Sequence, residues 1–359
     1  MKKNVLMTLF ITCLTLSSCQ RDEVNEMKKN ESTGQMVDPS VQSVLFPAKG
    51  TANAQYGKPG PYQVSTNAVV MDCNTLVGKF IPMLQMVGIL DGSIKCSNNL
   101  PYGTKGPIAS YVYYPSNIRN LGKLPVVNFV GGILSSTANY DQMMRLWASY
   151  GFVVVISSDF VNSMPEMHLY GAYMAKSYNE NPQSPLFGKV DLSKMIIAGH
   201  SGGGQATLLT ASLPSDIMKT IDPNLKMIGA LPIEPGPLAI GSTVAVPTLL
   251  LTGALDNVVP APLWANILEY DLLKKIPAWS ATAVTATHFS TTMEISKNEF
   301  AGISVAWLKY LGYNDVGAKS YFVGENYKLK SDLQFNKPLL LPDVYPYPVK
   351  RNSMADALQ

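Results

Sequence analysis

The sequence predicts an α/β fold with a mostly parallel central sheet and helices on both faces. From Leu124 onward, short apolar runs rich in β-branched residues alternate with stretches of helical character, as expected for parallel strands joined by helices. The runs are almost continuously apolar, which is typical of strands buried on both sides. With 359 residues, 47% of them hydrophobic and 15% charged, the chain is long enough to bury a large core.

Six strands and two long helices follow from these patterns. Helices are predicted at 139–150, closed by Gly151, and at 298–311, closed by Gly312, because glycine commonly ends a helix. In the second helix five apolar residues form one stripe that should lie flat on the sheet: Phe300, Ile303, Trp307, Leu308 and Leu311. The predicted strands are residues 126–130, 152–157, 195–199, 227–233, 248–252 and 281–287.

The rest of the chain divides around a single domain at 44–327. Residues 60–115 are punctuated by proline and glycine, which indicates one or two antiparallel edge strands within a loop-rich insertion. Residues 328–359 are rich in proline and lack a helical period. We expect them to form an extended tail over the domain or to be partly disordered.

The N-terminus has the pattern of an export signal. Residues 1–18 combine two lysines with an apolar run that is too short to be a good membrane span. Leu16–Cys19 resembles the bacterial lipobox, and the resemblance implies cleavage before Cys19 and acylation of that cysteine; a plain secretory signal is the alternative. Residues 19–43 are polar and form a tether. The expectation is a protein exported to the bacterial cell envelope and anchored in a lipid bilayer, at the outer membrane and facing the periplasm or the surface.

Cysteine usage then predicts one disulfide. The chain has four cysteines, of which Cys13 leaves with the signal and Cys19 carries the lipid. Cys73 and Cys96 are free to oxidise in an exported protein. We predict a disulfide between them, with two separate buried thiols as the alternative.

Charge and composition exclude two classes of function. The formal net charge is +3, and we find no dense basic stripe with interleaved aromatic residues, so nucleic acid is not an expected partner. The three histidines and four cysteines lack the spacing of a transition-metal site. A bound metal is therefore not expected.

Chemistry is concentrated where the strand at 195–199 meets Gly199–His200–Ser201–Gly202–Gly203. This is G-x-S-x-G between a strand and a helix, the context in which the motif raises a nucleophilic serine above the sheet edge. Glycines allow the strained turn and the close approach of strand and helix. We therefore predict Ser201 as nucleophile and the Gly202 amide, at a helix N-terminus, as an oxyanion donor.

A serine nucleophile needs a base and an acid. Asp256 and His288 follow later strands at the same sheet edge, in that order. His200 adjoins the nucleophile and is badly placed as its base, and His168 is interpreted as a surface or pocket-wall residue. Asp159 is the rival acid, but an acid at its position usually caps a helix or braces a turn.

The second oxyanion donor should come from the loop after the first predicted strand. That loop contains two consecutive glycines, which let the backbone turn its N–H groups toward the site. The candidates are Val130 and Gly131, and the sequence does not choose between them.

With these residues in place, the chain resembles the polyesterase-lipase-cutinase family of α/β-hydrolases, which includes cutinases and poly(ethylene terephthalate) (PET) hydrolases. The resemblance implies a cofactor-free carboxylic ester hydrolase with Ser201, Asp256 and His288 as its triad. The segments that carry it are residues 60–62, 112–115, 147–154, 185–191, 246–260, 288–289 and 305–309.

Three departures concern the substrate. Gly202 stands where the family usually has methionine, the usual aromatic residue is missing near 233–237, and Val130 stands where the oxyanion loop usually has tyrosine or phenylalanine. Cleavage of polyesters is therefore not inferred. The predicted function is a monomeric serine esterase acting on small or polymeric esters. The alternatives are a non-catalytic ligand-binding envelope lipoprotein, and an acyltransferase or peptidase using the same triad.

Overall fold

The structure is a computed structural model. It describes residue 48, residues 50–68, nine positions between 71 and 97 (71–72, 79–80, 82–83, 86 and 96–97), residues 109–336 apart from 134, 136, 160 and 261–263, and residues 349–358. The predicted signal, tether and lipidation site at Cys19 lie outside these residues. So does Cys73, and the disulfide to Cys96 therefore remains a prediction. In the described part of the chain, no helix combines the length and the apolar character needed to cross a membrane.

A nine-stranded sheet forms the centre of the molecule. Its order is β1-β4-β6-β5-β7-β8-β9-β10-β11, and the six strands from β6 to β10 in this order run parallel. Edge strands β1, β4 and β11 pair antiparallel, and β2 and β3 pair separately. The bounds are β1 Val64–Thr66, β2 Met71–Asp72, β3 Cys96–Ser97, β4 Ala109–Pro115, β5 Leu124–Val130, β6 Val153–Ser158, β7 Val190–His200, β8 Met227–Ile233, β9 Thr248–Gly253, β10 Ala278–Ala283 and β11 Val349–Arg351.

Helices cover both faces of this sheet. The α-helices are α1 Thr51–Tyr56, α2 Asp141–Ser149, α3 Glu166–Glu180, α4 Gly202–Ala211, α5 Ser215–Ile221, α6 Ala301–Tyr313, α7 Val316–Lys319, α8 Leu333–Asn336 and α9 Ser353–Asp356. A π-helical turn spans Ala265–Glu269. Short 3₁₀ helices occupy Ile118–Asn120, Thr137–Tyr140, Gly241–Thr243, Tyr270–Leu272, Ser290–Thr292, Ile295–Lys297 and Lys328–Ser331.

Each face of the sheet has its own hydrophobic core. Alternation along β5 divides the strand between them, because Val127 and Phe129 face one core and Val126 faces the other. The first core receives α1, α2 and α6, and the second receives side chains of α3, α4 and α5. The fold class predicted from sequence is thereby confirmed. In α6 the predicted stripe lies on the sheet, with Trp307 fully buried and its ring 5.2 Å from that of Trp279.

Three segments differ from the sequence prediction. The helix expected to be closed by Gly312 runs to Tyr313 and is capped by Asn314 with φ 51°. Gly312 lies buried inside its last turn, where a Cβ would come within 2.8 Å of the Phe152 ring. The last parallel strand ends at Ala283 and not at residue 287. Val284 and Ala286 are buried in the turn that follows, so their apolar character imitates a longer strand. The C-terminal segment is also more regular than expected, because Val349–Arg351 pairs with β10 as the ninth strand. A three-residue strand has no detectable alternation and is defined by its partner's free edge.

Candidate active site

The turn between β7 and α4 has the backbone geometry of a strained elbow. Ser201 links them with φ 57° and ψ −121°, a conformation that non-glycine residues rarely adopt. The Ser201 amide donates to the Ile233 carbonyl at 3.0 Å, and the Ser201 carbonyl accepts from the Gln205 amide at 3.0 Å. These bonds hold the serine at the carboxyl edge of the parallel strands.

Close approach explains the elbow's glycines. A methyl group built on Gly203 would lie 2.5 Å from the Val130 carbonyl carbon and would overlap the carbonyl oxygens of Val130 and Gly131. One built on Gly199 would overlap the Gly203 carbonyl. Glycine at 199 and 203 is what lets α4 begin directly against β7 and the end of β5.

The three residues predicted as a triad form one hydrogen-bonded chain. His288 Nε2 lies 2.9 Å from Ser201 Oγ, and His288 Nδ1 lies 2.9 Å from Asp256 Oδ2. Asp256 and His288 are buried, while Ser201 is partly exposed. With the Nδ1 proton donated to Asp256, the Nε2 lone pair faces the serine hydroxyl and can accept its proton.

Asp256 is held as an acceptor by the backbone of its own loop. Its Oδ1 accepts hydrogen bonds from the amides of Val258 and Val259, both at 2.8 Å. Oδ2 is thereby left to His288.

The structure brings a further backbone amide, that of Ile133, close to the elbow beside those considered from sequence. Val130 is the fully buried last residue of β5, and its carbonyl, like that of Gly131, faces Gly203. The Ile133 nitrogen lies 3.4 Å from an ideal Cβ on Gly202. Ile133, 53% exposed, lies at the mouth of the site, whereas Val130 belongs to the sheet. Val130 therefore does not take the place of the family's oxyanion-loop aromatic residue.

A second buried chain of polar groups runs beside the first. The Gly132 amide donates to Tyr140 Oη at 2.8 Å, Tyr140 Oη lies 2.9 Å from His200 Nδ1, and His200 Nε2 lies 3.1 Å from Glu234 Oε2. The same Glu234 oxygen is 4.0 Å from Nδ1 of His288. The two histidine rings have centroids 4.7 Å apart.

Burial makes this second chain neutral. It raises the pKa of Tyr140 to about 12, and burial together with nearby His288 lowers the pKa of His200 well below its usual range. The pKa of Glu234 is raised well above its usual range, first by burial and then by the carboxylates of Asp256 and Glu299.

Glu234 and Tyr140 were not identified from sequence. Glu234 directly follows the apolar end of β8 and has φ 47°. The sequence signal that could have identified it is an acidic residue at the carboxyl end of a parallel strand. Tyr140 precedes α2 and is brought to the site by the fold alone.

Three groups lie close enough to be considered as a metal site. His200, Glu234 and His288 offer ligand atoms that all lie within 4.8 Å of one another. Those atoms already hydrogen-bond within the two chains, to Tyr140, Asp256 and each other. We interpret the cluster as a proton-ordered network.

Two other residues considered from sequence have structural roles. Asp159 Oδ1 accepts from the amides of Val161 and Asn162, both at 2.7 Å, so it braces a turn. His168 is fully buried behind the elbow, with Nε2 3.3 Å from Thr207 Oγ1, and burial lowers its pKa to about 3. The expectation of a surface or pocket-wall position for His168 was wrong, because α3 packs this residue against α4.

Exposed apolar side chains surround the serine. Gln205 of α4 ties two of the loops that bear them, donating from Nε2 to the Ser163 carbonyl and accepting at Oε1 from the Leu238 amide, each at 3.0 Å. The Phe289 ring lies 5.7 Å from that of His288. The exposed side chains are Ile133, Val161, Met164, Leu238 and Phe289, which we call the apolar rim.

Comparison with known proteins agrees with this geometry. Residues 91–338 match the PET hydrolase-like family. The chain is 30% identical over 218 residues to Cutinase 2 of Thermobifida cellulosilytica, covering 60% of this chain and 77% of that protein. It is equally similar to Cutinase cut1 of Thermobifida fusca, of whose length it spans 63%.

A more distant relative is the bis(hydroxyethyl) terephthalate hydrolase of Streptomyces coelicolor, 26% identical over 201 residues, which are 55% of this chain and 60% of that protein. The family match covers most of the region that forms the sheet and the site, from the insertion to α8. The chain therefore belongs to the PET hydrolase-like family of α/β-hydrolases and is a carboxylic ester hydrolase.

Proposed function

We propose that the protein hydrolyses esters through a covalent acyl-enzyme formed on Ser201. The observation that carries the proposal is the continuous chain Ser201 Oγ, His288, Asp256, with 2.9 Å at each of its two links. A nucleophile within hydrogen-bond reach of an oriented base is the arrangement that activates a serine hydroxyl.

Each step of the proposed mechanism uses a side chain or a backbone amide described above. Ser201 Oγ bonds to the ester carbonyl carbon while its proton moves to His288 Nε2. The oxyanion is stabilised by the amides of Gly202 and Ile133, the first at the N-terminus of α4. The carbon–oxygen bond to the alcohol then breaks, and the alcohol leaves with the proton from Nε2. Water attacks the acyl-enzyme by the reverse route and releases the acid.

The apolar rim supports esters with apolar acyl or aromatic groups as substrates. Its side chains lie on four loops, with Val161 and Met164 on the same one, and Leu238 is 74% exposed. Such a surface binds an apolar group by contact and desolvation without enclosing it. The polyester chemistry of the relatives is one candidate, and soluble esters of medium-chain acids are another.

The test is hydrolysis of p-nitrophenyl esters from acetate to palmitate by the full chain in mild detergent. We expect a rate that Ser201→Ala lowers by about 10⁴-fold or more. Ser65→Ala, a matched exchange on edge strand β1 (Val64–Thr66), should retain the wild-type rate. The optimum chain length would report the reach of the apolar rim, and amorphous polyester film would test polymeric substrates.

Other outcomes separate the alternative functions. Ser201-dependent ester formation with an added alcohol, faster than hydrolysis, would make the protein an acyltransferase, and cleavage of peptides would make it a peptidase. Equal rates from wild type and Ser201→Ala would refute the serine mechanism and favour a ligand-binding protein.

We also propose, from the sequence of residues 1–43, that the protein is exported and anchored through acylated Cys19. The expected result is membrane-bound wild type and released Cys19→Ala on fractionation of the producing bacterium. Identical fractionation of the two forms would contradict the anchor.

A further inference from the structure

The inference concerns how the second buried chain acts on the first, and it rests on the function proposed above. The loop that supplies the Ile133 amide is held through its neighbour, Gly132. Both backbone polar groups of Gly132 are bonded. Its N–H, in the peptide group shared with Gly131, donates to Tyr140 Oη at 2.8 Å. Its carbonyl, in the peptide group that carries the Ile133 amide, accepts from Asn162 Nδ2 at 2.8 Å and from Ser135 Oγ at 2.6 Å.

Both anchors of this peptide are rigid. Asn162 is 1% exposed, has φ 55°, and accepts at Oδ1 from the Asp159 amide at 2.7 Å. Tyr140 is 1% exposed and its ring packs edge-on against Phe129, with centroids 4.9 Å apart. Both side chains are buried and bonded to other elements, so they hold the backbone of Gly132 in place.

The hydrogen-bond directions favour one tautomer of His200. Tyr140 Oη accepts from Gly132, so its own proton is available to His200 Nδ1 at 2.9 Å, with the Ser135 hydroxyl as the other side chain bonded to the tyrosine. His200 then carries its proton on Nε2 and donates it to Glu234 Oε2 at 3.1 Å. Glu234 ends the chain, and its Oε1 has no hydrogen-bond partner among the described residues.

The end of the chain is packed tightly. Glu234 Oε1 lies 2.6 Å from the position that a Cβ on Gly253 would take. The carboxyl group also lies between the two histidines, with Asp256 and Glu299 as its acidic neighbours. A neutral acid accepts the His200 proton without adding a second negative charge 4.0 Å from Nδ1 of His288.

We propose that Tyr140, His200 and Glu234 are positioning residues that fix the oxyanion loop against the elbow, so that the Ile133 amide faces the reacting carbonyl before substrate binds. The hydrogen bonds run from Gly132 through Tyr140 and His200 to Glu234. His200 is next to Ser201, and Glu234 lies beside His288. The effect of this second chain is on the transition state, because negative charge develops on the carbonyl oxygen on the way to the tetrahedral intermediate and is absent from the bound ester.

The test compares kcat and KM per reactive serine, counted by titration with a fluorophosphonate so that unfolded protein is not included. Tyr140→Phe removes the hydroxyl that joins Gly132 to His200 and should lower kcat at least tenfold, with KM changed less than threefold. Tyr321→Phe is the matched control, because Tyr321 is 1% exposed and its hydroxyl bonds to Gln55, away from the site.

Glu234 supplies the second arm. Glu234→Ala should lower kcat by a similar factor, and Glu234→Gln should restore most of that loss, since its amide oxygen accepts the His200 proton without charge. In the double variant Tyr140→Phe/Glu234→Ala the losses should combine less than additively, as for members of one network.

Three results would overturn the inference: a kcat of Tyr140→Phe within twofold of wild type, a loss in Tyr321→Phe equal to that in Tyr140→Phe, or a Glu234→Gln variant no better than Glu234→Ala. If Glu234→Gln were no better than Glu234→Ala, Glu234 would act through a negative charge near His288 and not as a hydrogen-bond acceptor for His200. A wild-type protein without Ser201-dependent hydrolysis would instead refute the proposed function, and this inference with it.

Discussion

The close contact between α4 and the end of β5 predicts opposite effects for two adjacent glycines. A methyl group on Gly203 would lie 2.5 Å from the Val130 carbonyl carbon, about 1 Å inside normal contact. Because the obstacle is strand backbone on one side and helix backbone on the other, α4 must move by about that distance. A methyl group on Gly202 meets chiefly Ile133 Cγ1, at 2.7 Å, a side-chain carbon of an exposed residue that can move by rotation about χ1.

The expected cost of Gly203→Ala is large in activity and moderate in stability. A 1 Å shift of the elbow breaks the 2.9 Å bond between Ser201 and His288, and misplacement of that size costs about 10²-fold in rate. Overpacking adds about 1–3 kcal/mol of destabilisation. Gly202→Ala should lose less than tenfold in kcat/KM and less than about 1 kcal/mol.

The assay is kcat/KM on a p-nitrophenyl ester together with urea unfolding of wild type, Gly203→Ala and Gly202→Ala. Activity of Gly203→Ala within threefold of wild type would refute the reasoning, because it would mean that α4 can withdraw without disturbing the serine. Equal losses in the two variants would refute it as well, since the difference between backbone and side-chain obstacles would then have no effect.

Three further predictions follow from buried acids. Asp256→Asn should lower kcat by about 10³–10⁴-fold, because an amide favours the wrong tautomer of His288; a loss below tenfold would point to another orienting acid. Burial raises the pKa of Glu269 to about 9 from 4.5, so the folded state binds one more proton between those values. The free energy of unfolding therefore falls as the pH rises from 4.5 toward 9, by about 1.4 kcal/mol per pH unit, because the unfolded state loses this proton first. Glu269→Gln should flatten the pH dependence of urea unfolding between pH 5.5 and 8.5, and an unchanged slope would contradict this. Asp332 Oδ2 accepts from the Ala52 amide at 2.8 Å and ties α1 to the C-terminal segment; Asp332→Ala should cost about 1–3 kcal/mol in urea unfolding without a change in kcat, and a smaller effect would show that α1 is held by its other contacts.

The parallel strands and the triad could be predicted from sequence because each leaves a local signal. Apolar runs mark strands buried on both faces, and the carboxyl ends of parallel strands meet at one edge. Because Ser201, Asp256 and His288 each follow such a strand, the sequence predicts that their side chains lie close together. The glycines flanking the serine gave the elbow, since their close contacts are requirements of the backbone.

The second chain could not be predicted because its members have no common sequence pattern. Tyr140 comes from the start of a helix, His200 from the elbow and Glu234 from a strand end, and only the fold brings them within hydrogen-bonding distance. The sequence could not choose among the amides of the oxyanion loop either, because Val130, Gly131 and Ile133 lie within four positions and the contacts of this loop, such as the hydrogen bond from the Gly132 amide to Tyr140 Oη, come from the fold.

Edge elements were the other difficulty. Strand β11 has three residues and gains its hydrogen bonds from β10, so nothing in its own sequence distinguishes it from an extended tail. The buried turn at 284–287 has the composition of a strand but carries His288 away from the sheet. In both cases tertiary contacts override the local pattern.

The central claim is that Ser201 is a nucleophile activated by His288. The most direct measurement is the intact mass of the full chain after exposure to a fluorophosphonate, followed by peptide mapping, for wild type, Ser201→Ala and His288→Ala. We predict one adduct per wild-type chain, mapped to Ser201, none on Ser201→Ala, and labelling of His288→Ala slowed by at least 10³-fold. An unlabelled wild type, or an adduct that persists when Ser201 is replaced, would contradict the account.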